Sequence, residues 1–434
     1  MRKLFAAAGA VALALTMTAC GSSGGSGDAG KASGDSGADG AKEVGVTTWW
    51  SAGSEKDGFE ALSKVFKEQH PDITLKNLAT SGGGGTNAKQ KLAADLAAKN
   101  PPDTYQSHAG AELSADIASG YVEDVSSLYD EFKLREAFPK SLIDRLTVDG
   151  KIYSVPSNIH RANVVWANPK VMEKAGLDPK NPPKDIKGWI ADMEKLKGAG
   201  VKFPITVGDT WTQLELLETV LISDLGVDKY NGLMDGKTDW AGADVKAALE
   251  DYAKIISYTD PSLYTEDWEP AMKPILEGKS AYNVMGDWAP PAFEHANMEW
   301  GKDYVTFPVP GNEGVFDFLA DSFTMPVGAK HPEGTKAWLQ TISSVEGQIA
   351  FNKAKGSIPS RSDLTPEQIK EFSGYQQSAM ESFGKDTIVS SIAHGAALPL
   401  KATEAMKAAL GKFMAAKDVD ALQKDFVAAV KSAV

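Results

Sequence analysis

Residues 47–55 read Thr-Thr-Trp-Trp-Ser-Ala-Gly-Ser-Glu, and they lie between a short apolar run that begins at Val44 and a helical pattern. A strand that ends in aromatic residues at a strand-to-helix turn normally faces the ligand crevice of an α/β sheet. Trp49 and Trp50 are therefore candidate ligand contacts. The alternative that both rings belong to the core stays open, because aromatic side chains dominate most hydrophobic cores.

Strand and helix patterns alternate after this turn. Residues 58–70 place apolar side chains at helical spacing, and residues 73–78 have the pattern of a strand. After the glycine run of residues 82–85, residues 88–99 repeat the helical pattern and residues 104–107 form the next strand. This alternation predicts a parallel, doubly wound α/β lobe.

A second, helix-rich lobe is predicted further along the chain. Because single hydrophobic cores stop growing at roughly 250–300 residues, a chain of 434 residues is long enough for two domains. Residues 152–168 are extended and form a candidate crossing between lobes, and residues 316–326 return as an extended apolar run. The other predicted elements are a strand at 280–284 and helices at 170–175, 187–197, 213–225, 244–258, 271–277 and from 403 onward.

The overall charge excludes one class of ligand. The formal net charge is -13, whereas proteins that bind nucleic acid present a clustered basic surface. Nucleic acid is therefore set aside as a partner. The content of 24% charged and 42% hydrophobic residues is that of an ordinary soluble protein, so any membrane contact must come from one end of the chain.

The N-terminus has the pattern of a bacterial lipoprotein signal. Arg2 and Lys3 form a positive n-region, residues 4–15 form a short apolar core, and small residues lead to Cys20. We therefore interpret residues 1–20 as a signal peptide with a lipobox, Cys20 as the lipidated residue and residues 21–43 as a flexible Gly/Ser tether. A buried free thiol is the alternative for Cys20. The interpretation predicts an extracytoplasmic protein that is lipid-anchored to the outer face of the cell membrane.

Neither a phosphate loop nor a metal site is predicted. The glycine run lacks the Gly-Lys-Ser/Thr sequence that closes a phosphate loop, so we interpret it as a close-approach loop at the crevice or as a turn. The histidines show no short ligand spacing, and a single cysteine forbids disulfides. No metal and no cofactor are expected.

Glu55 and Asp321 are acids with two possible roles. A glycosidase needs two carboxylates that flank a bond, but nothing in the local sequence supplies the apolar pocket that raises the pKa of an acid. In a binding protein the same carboxylates accept hydrogen bonds from adjacent sugar hydroxyls, while tryptophan faces cover the C–H patches of the ring. These acids, together with Trp, Gln, His and Lys residues, indicate sugar binding.

A series of motifs resembles the extracellular solute-binding lipoproteins of ABC sugar importers, in particular the glucose-binding branch. The resemblance covers nearly the whole mature chain, and the order and spacing of the motifs make it specific. The motifs are Trp49-Trp50-Ser-Ala-Gly-Ser-Glu55, the Gly-Gly-Gly-Gly-Thr-Asn run, Pro101-Pro102-Asp103 to Gln106-Ser-His108, Asn158-Ile-His-Arg161, Met285-Gly-Asp-Trp288, Asp321-Ser-Phe and Lys353-Ala-Lys-Gly-Ser-Ile-Pro-Ser-Arg361.

The resemblance implies an α/β, two-lobe periplasmic-binding-protein fold (a Venus flytrap). Doubly wound sheets are then joined by three hinge crossings, near residues 154–161, 316–323 and 353–360. The N-terminal lobe is expected to comprise residues 44–156 plus 320–355. The C-terminal lobe is expected to comprise residues 157–319 plus 356–434.

The same resemblance implies the ligand contacts and the partners. A monosaccharide, glucose or a close epimer, would bind between the lobes and pass to the transmembrane subunits of an ABC permease, and the protein would act as a monomer without a chemical step. An oligosaccharide ligand, a glycosidase and a sugar sensor stay open as alternatives. The implied contacts are Trp49, Trp50, Glu55, Gln106, His108, Trp268, Trp288, Asp321, Lys355 and His394. The tryptophans assigned to packing are Trp166, Trp189, Trp211, Trp240, Trp300 and Trp338.

Overall fold

The computed structural model describes residues 42–432. The predicted signal peptide, Cys20 and all but two residues of the predicted tether lie outside the described residues. Within residues 42–432, no helix combines the length and the apolar character that are needed to cross a membrane.

The described chain is a mixed α/β structure. The strands are β1 (Glu43–Thr47), β2 (Thr74–Asn77), β3 (Thr104–His108), β4 (Thr147–Val148), β5 (Lys151–Ile152), β6 (Ser154–Pro156), β7 (His160–Arg161), β8 (Val164–Ala167), β9 (Ile205–Thr206), β10 (Tyr282–Val284), β11 (Val305–Pro308), β12 (Val315–Leu319), β13 (Asp321–Thr324) and β14 (Thr387–Ser390). The helices are α1 (Gly53–Gln69), α2 (Thr86–Ala97), α3 (Ser114–Ala118), α4 (Ser126–Glu131), α5 (Leu134–Ala137), α6 (Lys140–Leu146), α7 (Pro169–Lys174), α8 (Ile186–Gly198), α9 (Thr210–Asp235), α10 (Ala243–Ile256), α11 (Trp268–Leu276), α12 (Pro290–His295), α13 (Pro332–Ser343), α14 (Val345–Lys355), α15 (Pro366–Ile369), α16 (Gly374–Lys385), α17 (Leu400–Ala416) and α18 (Val419–Lys431).

The first lobe is built on a five-stranded sheet of order β2-β1-β3-β13-β6. Strands β1, β2 and β3 are parallel, as the alternation of strands and helices predicts. Strand β13 runs antiparallel to both β3 and β6, so the sheet is mixed and departs from the predicted parallel arrangement at this one strand. Strand β13 enters this sheet from β12 of the second lobe, so no helical crossover from a neighbouring strand of its own sheet sets its direction. Helices α13 and α14 pack against α1 beside this sheet.

The second lobe contains two smaller sheets. One has the order β11-β8-β10-β9 and the other has the order β14-β12-β7. Helices α9, α10, α17 and α18 pack against one another and bury a large apolar cluster. The long helix α9 contains a break at Gly226, whose φ of 72° is not helical.

Three segments run between the lobes, and they lie side by side. The first joins β6 to β7, the second joins β12 to β13, and the third follows α14. The Ser157 N–H donates to the Asp321 carbonyl at 2.9 Å, which ties the first crossing to the second. Ile159 and Ile358 exchange backbone hydrogen bonds of 2.8 and 3.1 Å, which tie the first crossing to the third. These crossings create the two-lobe fold, while the residue bounds given above for each lobe stay a prediction.

Some helix ends differ from the predicted ones. Helix α1 begins at Gly53, five residues before the predicted start, because the polar sequence Ser-Glu-Lys-Asp forms its first turn. The predicted single C-terminal helix is two helices. Lys417, with a φ of 57°, ends α17, and the Asp418 side chain accepts a hydrogen bond from the Ala421 N–H as the cap of α18.

Candidate functional site

A cavity of about 670 Å³ lies between the two lobes where the three crossings meet. The first lobe contributes the β1–α1 turn, the glycine run and the end of β3. The second lobe contributes the starts of α9 and α11 together with the segments around residues 288 and 394. The predicted contacts that line this cavity are Trp49, Glu55, His108, Trp268, Trp288, Asp321, Lys355 and His394.

The strand register explains why His108 and Asp321 meet although they are far apart in sequence. His108 is the last residue of β3 and pairs with Asp321, the first residue of the antiparallel strand β13. Gln106 lies two residues earlier on β3, and therefore on the same face of the sheet. Its Nε2 donates to Asp321 Oδ1 at 2.8 Å.

The Asp321 carboxylate is the centre of the polar site. It is 2% exposed, and its Oδ2 accepts hydrogen bonds from Asn158 Nδ2 at 2.9 Å and from Lys355 Nζ at 3.0 Å. Burial by itself would raise the pKa of Asp321, but the Lys355 ammonium and the hydrogen-bonded His160 ring hold it well below its usual range. Asp321 is therefore ionised at neutral pH.

Glu55 faces the cavity without a hydrogen bond. Its carboxylate lies 3.9 Å from Lys355 Nζ, and within residues 42–432 it accepts no hydrogen bond. Burial raises the pKa of Glu55 to about 7, and Lys355 partly opposes this rise, while the like charges of Asp321 and Asp267 add to it. About a fifth of the side chain stays exposed, so a ligand in the cavity can reach the carboxylate.

Histidines surround the Asp321–Lys355 pair. His108 Nδ1 lies 2.9 Å from Glu112 Oε2, which also accepts from Lys89 at 2.8 Å. His160 Nε2 lies 3.3 Å from Asp321 Oδ2, and its Nδ1 is hydrogen-bonded to Asp287.

Burial sets the protonation of two of the groups around this pair. It lowers the pKa of His108 and holds that of His394 well below its usual range. Despite burial, the Lys89 ammonium and His108 keep the pKa of Glu112 low. His394 therefore presents a neutral imidazole to the cavity.

Aromatic rings form the walls. The ring of Trp49 lies 5.1 Å from that of His108, on the first lobe. On the second lobe, the Trp288 ring lies 6.0 Å from that of Trp211 and 5.3 Å from that of His394. Trp211, which is predicted to belong to the packing, also lines the cavity. Trp211 is the second residue of α9, the helix that follows β9, so a search extended from strand ends to the first turn of the next helix would have found it.

Two predicted contacts do not line the cavity. The Trp50 side chain is fully buried, with its ring 4.8 Å from that of Phe351 and 5.4 Å from that of Phe323. Lys355 Nζ lies 4.9 Å from the centre of the same ring. Trp50 therefore supports Lys355 from the core, which is the alternative that the sequence left open.

Gln106 also lies behind the cavity wall. It is 3% exposed, and its Oε1 accepts hydrogen bonds from the Thr48 hydroxyl and from the Trp49 N–H. Because its Nε2 holds Asp321, Gln106 connects the Trp49 turn to the carboxylate instead of facing a ligand. Among the tryptophans assigned to packing, Trp300 is 39% exposed, and the buried ones are Trp166, Trp189, Trp240 and Trp338.

The glycine run lets the backbone approach two of these rings. Gly85 has a φ of 90°, and a Cβ there would lie 2.8 Å from the Trp49 ring. A Cβ on Gly84 would lie 3.0 Å from the Trp211 ring. Only glycine fits such a close approach with a positive φ, so the run is a close-approach loop at the cavity.

The charges at the cavity are unequal. Carboxylates outnumber ammonium groups among the lining residues by two to one; they are Glu55, Asp267, Glu269 and Asp321 against Lys273 and Lys355. Among residues 42–432, no group of three or more His, Cys, Asp or Glu side chains has the geometry to hold a metal ion. The arrangement therefore disfavours an anionic ligand and offers hydrogen-bond acceptors together with apolar ring faces.

Comparisons with known proteins agree on one family. The family model described as bacterial extracellular solute-binding protein matches residues 52–349. An uncharacterised ABC transporter extracellular-binding protein of Pyrococcus horikoshii is 34% identical over 394 residues, which are 90% of this chain and 88% of that protein. A probable sugar-binding periplasmic protein of Brucella suis is 29% identical over 403 residues, which are 90% of this chain and 93% of that protein.

The fold is also found among solved structures. A chitin oligosaccharide binding protein superposes with a TM-score of 0.78 at 19% sequence identity, and the match covers 90% of this chain and 98% of that one.

The raised pKa of Glu55 predicts a pH-dependent stability difference. Because the folded-state pKa of about 7 exceeds the ordinary value of 4.5, the folded protein binds more protons than the unfolded chain between these values, and stability falls as the pH rises through this window. We expect Glu55→Gln to melt at a higher temperature than the parent at pH 8, and most of this difference to disappear at pH 5. Scanning calorimetry of the ligand-free protein measures it.

Glu60→Gln is the matched control, because Glu60 lies on the same helix with 58% of its side chain exposed. An equal gain for Glu55→Gln at both pH values would contradict the prediction.

Proposed function

Because the chain belongs to the bacterial extracellular solute-binding protein family, we propose that it captures a sugar outside the cytoplasmic membrane and delivers it to the permease of an ABC importer. The observation that carries the proposal is the cavity, which has tryptophan faces on both lobes and an ionised carboxylate at its centre. The name of the Brucella suis relative points to the same class of ligand.

The site has the groups that sugar recognition requires. The faces of Trp49 and Trp288 cover C–H patches of a pyranose ring. The carboxylates of Glu55 and Asp321 and the imidazole of His394 pair with its hydroxyls. A hydroxyl that is missing or inverted leaves one of these buried groups unpaired, which costs about 1–3 kcal/mol. The proposed ligand is therefore recognised with high selectivity.

The proposed cargo is a monosaccharide, glucose or a close epimer. The cavity of about 670 Å³ lies within the range of about 300–1,000 Å³ that pockets for drug-sized ligands have, and a hexose is smaller than such ligands. A hexose at the Asp321 end thus leaves space toward Lys273 and Leu276. This space supports a short oligosaccharide as the second candidate ligand.

Closure of the two lobes would trap the sugar. The cavity receives side chains from both lobes, so only a closed form contacts the ligand from both sides, and binding shifts the population toward that form. The three crossings are the proposed hinge, and the N-terminal lobe of residues 44–156 plus 320–355 would move against the remainder of the folded chain. The protein would act as a monomer.

A glycosidase is the weaker alternative. Glu55, with its pKa raised to about 7, has the character of a general acid. Asp321, however, is a poor nucleophile and a poor base, because Gln106, Asn158 and Lys355 already donate to its carboxylate and hold it in place. Its remaining lone pair can still accept a hydrogen bond from a ligand hydroxyl. The site therefore favours binding without a chemical step. A sensor that reports the sugar to a membrane receptor would use the same cavity.

Calorimetric titration tests the ligand class. The protein is unfolded and refolded to remove any carried-over ligand, and it is then titrated with glucose, galactose, mannose, xylose, maltose and glucuronate. We expect affinity in the micromolar range or tighter for one or two monosaccharides. Glucuronate should not bind, because a carboxylate ligand is repelled by the acidic lining.

Binding of maltose alone would move the assignment to oligosaccharides. Lack of binding by all of these sugars, to a protein that melts cooperatively, would overturn the monosaccharide assignment and leave longer oligosaccharides as the candidate ligands. Release of free glucose from maltose during the titration would instead support the glycosidase alternative.

Glu55→Gln should weaken binding of that monosaccharide at least tenfold. A hydrogen bond to a charged group contributes about 1.5–3 kcal/mol, and the amide replaces one acceptor oxygen by a donor. Calorimetry of Glu60→Gln provides the comparison, since this exposed residue on the same helix should leave affinity unchanged. An unchanged affinity in Glu55→Gln would show that Glu55 does not contribute to ligand binding.

The N-terminal lipid anchor is a separate part of the proposal. Cys20→Ser should move the protein from the membrane fraction to the soluble extracytoplasmic fraction, because the serine hydroxyl cannot form the thioether that holds the lipid. Membrane fractionation followed by immunoblotting measures this shift, with the parent protein as the reference. A variant that stays in the membrane fraction would contradict lipidation at Cys20.

A further inference from the structure

A chain of hydrogen bonds runs from the cavity into the second lobe through His394. His394 Nδ1 lies 2.9 Å from Ser391 Oγ, and Ser391 Oγ lies 2.7 Å from Glu218 Oε1. Ser391 and Glu218 are fully buried. His394 Nε2 is buried at the cavity wall, and within residues 42–432 it has no hydrogen-bond partner. This chain connects a group that faces the ligand to an acid that does not.

Glu218 has a fixed role in this chain because of its other partners. Its Oε2 accepts hydrogen bonds from the Ile392 and Ala393 N–H groups at 2.6 and 2.8 Å. Backbone N–H groups can only donate, so the carboxyl is held as an acceptor at this turn. Asp317 lies beside it, and no N–H or O–H donor within the described residues reaches either of its oxygens.

Asp317 is therefore neutral, since a fully buried carboxylate without a donor is costly. Burial and the neighbouring Glu218 raise the pKa of Asp317 well above its usual range. Once protonated, Asp317 can donate its O–H toward the neighbouring Glu218 carboxyl. Burial also raises the pKa of Glu218, but the Ile392 and Ala393 N–H groups and the Ser391 hydroxyl oppose this rise. Because these donors reach Glu218 and none reaches Asp317, Glu218 is the member of the pair that carries the charge.

The Ser391 hydroxyl has a single proton, so it can donate only one hydrogen bond. This proton goes to the Glu218 carboxylate, which has no proton to give. Ser391 Oγ must then accept the hydrogen bond from His394 Nδ1. The imidazole is neutral because of its burial, so a proton on Nδ1 leaves a free lone pair on Nε2.

We propose that Glu218, acting through Ser391, is a positioning residue that holds His394 as the Nδ1–H tautomer, so that Nε2 accepts a hydrogen bond from a ligand hydroxyl. The ligand part of this inference rests on the proposed sugar-binding function. The tautomer part does not, because it follows from contacts within the protein. The ligand group at His394 must consequently be a donor: a hydroxyl fits, and an ether, a carbonyl or a fluorine does not.

Glu218→Gln should reverse the direction of donation along the hydrogen bonds from His394 to residue 218. The oxygen of the new side-chain amide has to accept from the Ile392 and Ala393 N–H groups, which turns the amide NH₂ toward Ser391 Oγ. The serine then accepts from the amide and donates its proton to His394 Nδ1, so the imidazole proton moves to Nε2. Asp317→Asn is the matched control, because its amide can still donate to Glu218 and the Nδ1–H tautomer should persist.

Nitrogen-15 NMR of the ligand-free protein, labelled in histidine, measures the tautomer at pH 8. His394→Asn identifies the resonances. We expect a protonated Nδ1 in the parent and in Asp317→Asn, a protonated Nε2 in Glu218→Gln, and a larger Nε2–H fraction in Ser391→Ala. If Glu218→Gln does not fold, the tautomers of His394 in the parent and in Ser391→Ala still test the proposal. A protonated Nε2 in the parent, or an unchanged tautomer in folded Glu218→Gln and Ser391→Ala, overturns the proposal.

A second measurement uses D-glucose and its monodeoxyfluoro analogues, because fluorine accepts weakly and cannot donate. One analogue, fluorinated at the hydroxyl that faces His394, should bind the parent at least tenfold more weakly than D-glucose, and this ratio should fall in Glu218→Gln. An unchanged ratio overturns the specificity role. If the expected tautomers are observed but no sugar binds, the proposed function is contradicted. The hydrogen-bond chain from Glu218 through Ser391 to His394 is then still supported.

Discussion

The buried ion pair between Asp321 and Lys355 joins the parts of this structure that the cavity depends on. Asp321 begins the strand that follows the second crossing, Lys355 ends the helix before the third, and Asn158 of the first crossing donates to the same carboxylate. Two charges that leave water need excellent geometry and further hydrogen bonds. Asp321 obtains these hydrogen bonds from residues of the crossings and from Gln106 on β3. The hydrogen bonds that compensate the buried charge therefore also hold the crossings together.

Much of the fold can be predicted from local sequence patterns. The apolar run before Trp49 and the alternation of helical and strand patterns after it locate the first three strands and their helices. The antiparallel position of β13 could not be predicted in this way, because it depends on a strand that enters from the other lobe. The break between α17 and α18 has a local cause, a left-handed Lys417 followed by the capping Asp418, but Lys is not a residue that signals this conformation.

The candidate site was predictable to the extent that its residues stand at strand ends. Trp49, His108 and Asp321 do so, whereas Trp211 lies in the first turn of the helix that follows β9. Trp50 is adjacent to Trp49 but points to the opposite side of the chain, where Phe323 and Phe351 surround it. Which of two adjacent tryptophans faces a ligand depends on packing partners that are distant in sequence. The hydrogen bonds of Glu218 depend on the turn at residues 391–393. No spacing in the sequence indicates that this turn contacts Glu218.

The position of Asp321 has a consequence for how such a protein diversifies during evolution. The residue at the centre of the cavity is also the residue that ties the crossings together, so exchanging it would alter the mechanical joint along with the ligand preference. Trp211 and Trp268 stand at the starts of two helices in one lobe, and they can be replaced without touching the joint. New cargo specificities should therefore accumulate at the rim of the cavity, while its centre is inherited unchanged.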